Sequence, residues 1–186
     1  MELFEAIYLR QSIGKVKPDP VPRELLEKML AAAVQAPNHY HVRPWRFVVL
    51  TGSGRERLGE MMAQSLRKRD PNAREEALAA ERAKPLRAPA LIAVGVDKPG
   101  EPRVLEIENV CAAAAAAQNL MLAATGLGLA TMWRTGPAAL DPDMKVFLGL
   151  APDQHLIGFI YVGYPFADPW PTARPSFEDR TAWIES

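Results

Sequence analysis

The chain has 186 residues, 48% hydrophobic and 24% charged, with 22 Lys and Arg set against 22 Asp and Glu. That length suits one compact domain over residues 1–186, and a formal net charge of +0 leaves no electrostatic footprint for nucleic acid. One cysteine, Cys111, makes no internal disulfide, and the start Met1-Glu2-Leu3-Phe4-Glu5 lacks the basic and apolar parts of a signal peptide, so a soluble cytoplasmic protein is expected.

Apolar residues at helical spacing (Leu3, Ile7, Tyr8) predict a first helix over residues 3–10. Pro20 and Pro22 interrupt the chain. A second helix follows over 24–35, with Leu25, Leu26, Met29, Leu30 and Ala33 on its apolar face, and it must stop before Pro37. Residues 45–50 (WRFVVL) read as a buried strand. Ser53 is the expected cap of a helix over 55–68, and Asp70-Pro71-Asn72 separates it from a charged helix over 73–83. Residues 90–96 (ALIAVGV) read as a second buried strand. Further on come a strand over 129–133, a short helix over 141–148 and a strong strand over 156–162. Prolines 165, 169, 171 and 175 predict an extended tail on the surface or on a partner subunit. Strands and helices mix without regular βαβ alternation, which predicts an α+β fold.

Residues 110–124 are almost wholly apolar, with alanine at every position from 112 to 117. A bilayer span wants about 20 apolar residues, and Gln118 and Asn119 interrupt this run, so it reads as a helix buried on nearly all sides, ending at Gly126. Cys111 would then be a buried, inert thiol. A chain this short has few elements to wrap such a helix, and a second copy would supply the cover, so a homodimer is expected.

No nucleophile elbow, phosphate loop or zinc-binding helix occurs. Gly126-Leu127-Gly128 follows a helix rather than a strand and reads as a helix-ending turn. Three polar clusters remain. Arg10-Gln11-Ser12 offers directed donors, one of them charged, suited to a phosphate and a polar ring edge; spacing alone favours reading it as a polar helix end. Residues 35–45 are dense in hydrogen-bonding and aromatic side chains, fit for a ligand or for capping the next strand; His39 and His41 lack a third metal ligand. Trp133-Arg134-Thr135-Gly136 ends a strand, as a site or as a core tryptophan beside a surface arginine.

In their order and separations these pieces resemble the nitroreductase family of flavin enzymes, in particular its small branch. The resemblance rests on Arg10-Gln11-Ser12, Ala36-Pro37-Asn38-His39, Pro44-Trp45, Gly126-Leu127-Gly128, Trp133-Arg134-Thr135-Gly136 and Gly158-Phe159-Ile160-Tyr161-Val162-Gly163. It implies an α+β nitroreductase-like fold, a mostly antiparallel central sheet flanked by helices, in an intertwined homodimer holding FMN at its interface. By the same resemblance Arg10, Gln11 and Ser12 contact the flavin from one subunit. Gln35 and His39 reach it from the other, and Trp133, Arg134 and Thr135 line the remaining side. Gln11 stands where many members carry a second basic residue. Arg174 resembles an arginine that meets the phosphate in larger members and is kept outside the expected set.

The implied activity is oxidoreduction: NADH or NADPH reduces the flavin at N5, and a nitroaromatic or quinone-like acceptor then takes the electrons, in ping-pong order. Arg134, Arg10 and Lys15 are the expected positive charges near the N1–C2 edge. A flavin carrier or sensor without turnover, and a dehalogenase-like or flavin-cleaving relative, are the alternatives.

Overall fold

Four runs rich in β-branched and aliphatic residues form the sheet: β1 (Trp45–Thr51), β2 (Ala90–Val96), β3 (Ala130–Arg134) and β4 (His155–Gly163). The computed structural model describes residues 1–185. All three strand pairings are antiparallel and the spatial order is β1-β2-β4-β3. Every residue of β2 is buried, as its unbroken apolar run predicts. β1 departs from the expectation of a buried strand: it lies at the sheet edge, with Arg46, Val49 and Thr51 exposed.

Helices cover both faces. α2 (Arg23–Ala33) and α5 (Glu106–Gly126) pack on one, burying Leu26, Met29, Ala33, Ala113, Ala116, Ala117 and Leu120 against Ile92, Val94 and Ile160. α3 (Ser53–Arg69), α6 (Pro137–Leu140) and α7 (Pro142–Phe147) pack on the other through Leu58, Met62, Ala139 and Met144. α4 (Glu75–Ala83) lies along α3, and α1 (Leu3–Leu9) meets α5. α1 buries only Ala6, leaving Leu3, Phe4, Ile7 and Tyr8 exposed. Beyond Pro165 the described residues are irregular except for one 3-10 turn at Glu178–Arg180.

The structure corrects three local expectations. Ser53 does not cap α3: it is the first helical residue, and Gly52 (φ +49) occupies the N-cap with no side-chain bond. The left-handed residue that ends α5 is Gly128 (φ +75), not Gly126. Leu129 N–H closes the turn on Ala124 O at 2.8 Å, the wide bond that ends a helix when a glycine turns back. α5 itself is not covered all round. Cys111 and Gln118 are exposed and Ala114 and Ala115 half-buried, so a stripe of the alanine helix lacks cover within one chain, and Cys111 is not the buried thiol expected. No helix among the described residues is long and apolar enough to cross a membrane.

Candidate functional site

Arg10 closes α1, its N–H bonded to Ala6 O at 2.9 Å. The chain then runs extended beside β3: Ser12 bridges Thr131 in parallel sense, and Ile13 N–H donates to Thr131 O at 3.0 Å. Gln11 Nε2 donates to Trp170 O at 3.0 Å, which ties the tail to this segment. Arg174 follows in the tail. Burial, and then the positive charge of Arg174, push the pKa of Arg10 below its ordinary value. Among the described residues neither arginine has a carboxylate within ion-pair distance. Two guanidiniums that repel each other with no carboxylate between them suit a dianionic group such as a phosphate.

A cavity of about 210 Å³ lies beside Arg134, whose guanidinium end approaches Gly14. Successive side chains of β3 alternate across the sheet. Trp133 turns toward α5, where its Nε1–H donates to Ile157 O at 3.0 Å. Arg134 turns the opposite way, its guanidinium 5.7 Å from the centre of the Tyr161 ring. Arg134, Thr135 and Gly136 line the cavity together with apolar Met62, Leu66 and Phe159. Arg69, Lys84 and Arg87 bring the lining cations to four, against one carboxylate, Glu81, which pairs with Lys84. Burial pushes the Tyr161 phenol up, against the opposing charges of Arg134 and Arg87. The cavity therefore combines apolar walls with an excess of fixed positive charge. The Trp133 indole, by contrast, does not line it.

Glycines set this geometry at two points. A Cβ on Gly14 would lie 2.8 Å from Met132 Sδ and 3.4 Å from Arg134 Nη2, so a side chain here would displace the ends of both. At Gly158 (φ +143) a Cβ would meet Trp133 Nε1 at 2.4 Å and Arg134 O at 2.6 Å. Gly158→Ala combines a strained φ with a clash against backbone, and should cost about 2–4 kcal/mol, read as a lower urea midpoint at unchanged m-value.

Gln35 and His39 lie elsewhere. Gln35 is exposed just past α2, its Nε2 donating to Ala31 O at 3.4 Å. His39 opens a tight loop in which Tyr40, His41 and Arg43 all have positive φ (49, 54 and 50). Each left-handed side-chain residue costs about 1 kcal/mol or more. Asn38 Oδ1 fastens the loop by accepting the Arg43 N–H at 2.8 Å. The start of α5 and the turn before it fasten it from outside: His39 Nδ1 lies 3.2 Å from Glu108 Oε1, and Arg103 lies 5.1 Å from the centre of the Tyr40 ring.

Residues 11 and 13 sit with Thr125 and Gly128 at the opposite end of α5. From Glu108 to Thr125 the helix rises about 25 Å. The structure thus sets Arg10, Gln11 and Ser12 beside β3, with Ser12 bridging Thr131, places Arg134 and Thr135 on the cavity beyond that strand and Trp133 on the other sheet face, and leaves Gln35 exposed past α2 and His39 far along α5. Lys84, Arg87, Tyr161 and Glu108 were not legible as site residues. Only Tyr161 carried a signal, its place in the Gly158–Gly163 strand.

The family model described as the Nitroreductase family matches residues 7–164. The chain belongs to the nitroreductase family. It is 29% identical over 166 residues to the Escherichia coli K12 protein named Putative NAD(P)H nitroreductase YdjA, covering 89% of both chains. Among solved structures, a nitroreductase-like family protein from Bacillus cereus superposes with a TM-score of 0.85 at 28% identity, over 100% of this chain and 97% of that one. A nitroreductase with bound FMN from Bacteroides fragilis shares the fold, with a TM-score of 0.74 at 22% identity over 100% of each chain. All eight expected site residues fall within the nitroreductase match, whereas Arg174 lies beyond it.

Proposed function

We propose that this nitroreductase binds FMN and uses NADH or NADPH to reduce nitroaromatic or quinone-like acceptors, as an intertwined homodimer whose two flavin sites each draw on both copies. The observation that carries the reading is the segment Arg10–Gly14. It carries Arg10, which faces Arg174 without a carboxylate partner, and its Gly14 lies against the end of Arg134, one of four cations lining an apolar-walled cavity. The name of the Escherichia coli relative and the flavin in the Bacteroides fragilis structure support it.

Arg10 and Arg174 would hold the phosphate, and Gln11 and Ser12 would supply polar contacts. Arg134 and Thr135 would meet the ring, with the backbone of Trp133 beside them. When bound, FMN supplies the two-electron carrier that takes hydride from the nicotinamide and passes electrons to the acceptor. The fixed charges of Arg134 and Arg87 would favour the electron-rich form of the ring without reorganising as charge arrives, whereas Lys84 is balanced by Glu81. Tyr161 packs under Arg134 and holds it in place.

His39 would come from the partner subunit, since about 25 Å of helix separates it from Arg10 within one chain, and Gln35, exposed past α2, would come with it. Exposed apolar side chains support the pairing: Leu3, Phe4, Ile7 and Tyr8 on α1, Leu105 and Ile107 at the start of α5, and Trp170, Phe177, Trp183 and Ile184 in the tail. Surface of this kind marks an interface.

The purified protein should be yellow, or become so with added FMN, and either nicotinamide should bleach it without oxygen before an acceptor restores the colour. A colourless protein that takes up no FMN overturns the proposal. Bound FMN that neither nicotinamide bleaches would favour a carrier or sensor.

A further inference from the structure

Three guanidiniums reach the cavity of about 210 Å³ from separate parts of the chain. Arg69 ends α3, Arg87 ends the 3-10 turn Lys84–Arg87, and Arg134 ends β3. Among the described residues none of the three has a carboxylate within ion-pair distance. The fourth cation, Lys84, pairs with Glu81. Like charges gathered this way repel one another, and a bound anion would turn that repulsion into attraction.

Tyr161 adds a neutral donor. It is 7% exposed, it lines the cavity, and its hydroxyl has no hydrogen-bond partner among the described residues. Buried polar groups are nearly always bonded, so a hydroxyl left free beside a cavity marks a place for a ligand atom. Burial raises the phenol pKa, so the group stays protonated and donates. The walls formed by Met62, Leu66 and Phe159 are apolar. The volume falls below the roughly 300 Å³ at which pockets for drug-sized molecules begin, which limits the occupant to a small body.

We propose that this cavity selects the electron acceptor through a carboxylate, so that the preferred acceptors are small aromatic acids. Arg69, Arg87 and Arg134 supply the charge and the Tyr161 hydroxyl a hydrogen bond, while Met62, Leu66 and Phe159 meet the aromatic body. Thr135 and Gly136 line the same cavity, so an acid seated there lies beside the flavin of the proposed function. The acceptor role rests on that flavin site; the carboxylate site does not.

The probes are 4-nitrobenzoate and nitrobenzene, which share a ring and a nitro group and differ by one carboxylate, ionised at pH 7. Calorimetry on the protein with and without FMN should show 4-nitrobenzoate binding about tenfold or more tightly than nitrobenzene in both forms. Arg69→Gln should shrink that preference about tenfold, and Tyr161→Phe should shrink it by a smaller factor. Arg69 is exposed and makes no ion pair, so the fold should survive its loss. Equal affinity for the two probes, or a preference unchanged in Arg69→Gln, overturns the proposal. So does 4-nitrobenzoate that binds only without FMN and is displaced by it, because the cations would then serve the flavin alone. A protein that takes up no FMN yet keeps the preference would retain the carboxylate site while the flavin reading fails. In turnover, Arg69→Gln should raise KM for 4-nitrobenzoate about tenfold at similar kcat. A KM that does not move overturns the role of the cavity in choosing the acceptor.

Discussion

Arg10→Ala should weaken FMN binding about a hundredfold, a loss near 3 kcal/mol, because it removes a charge-assisted contact to a phosphate from a half-buried corner. Quenching of FMN fluorescence on titration measures it. Fold stability should hold or rise slightly in the same variant, since Arg10 sits against the like charge of Arg174 and forms no ion pair that its loss would break. That opposite movement separates a ligand role from a structural one. Arg10→Lys should recover part of the affinity, as a point charge without the two-pronged donor geometry. An unchanged dissociation constant in Arg10→Ala would remove Arg10 from the site.

The second large effect is restoration by mixing. Take one chain carrying Arg10→Ala and another carrying His39→Ala, each with severely reduced flavin binding. If every site takes Arg10 from one copy and His39 from the other, a mixed dimer holds one site with both defects and one with none. Unfolding and refolding the two together should then restore up to about a quarter of wild-type flavin, given random pairing of two equal populations into symmetric dimers. Sites built within single chains would show no recovery at all. The distance along α5 makes this a sharp test, because no rearrangement of side chains closes about 25 Å.

Much of this was legible in the sequence, and what was not has identifiable causes. The apolar run of β2 and the alanine helix follow from composition and formed where their residues said they would, while the left-handed glycine after the helix is Gly128, two residues past the expected one. β1 reads as buried because WRFVVL is apolar; its edge position depends on the strand order β1-β2-β4-β3, which local pattern does not encode. Ser53 looked like a cap because serine favours that position, yet the tight turn needs a positive φ one residue earlier and Gly52 provides it. Along α5, methyl groups look equally buried on all sides, and only the packing of α2 and the sheet shows which stripe is left open. At the site, Arg10-Gln11-Ser12 and Trp133-Arg134-Thr135 were visible as clusters because their members are consecutive. Lys84 and Arg87 were not, since they reach the same cavity from a different connection, more than forty residues away in the chain. The alternation of β3 also splits a motif that reads as one unit, sending Trp133 and Arg134 to opposite faces.

The loop after Asn38 has an implication for engineering. Three side-chain residues there hold a backbone shape that glycine would adopt freely. Introducing glycine at His41 or Arg43 would ease that conformation, while loosening the frame that aims the neighbouring imidazole. A search for heat-resistant variants would therefore be drawn to this loop, and its winners would tend to be the poorer binders.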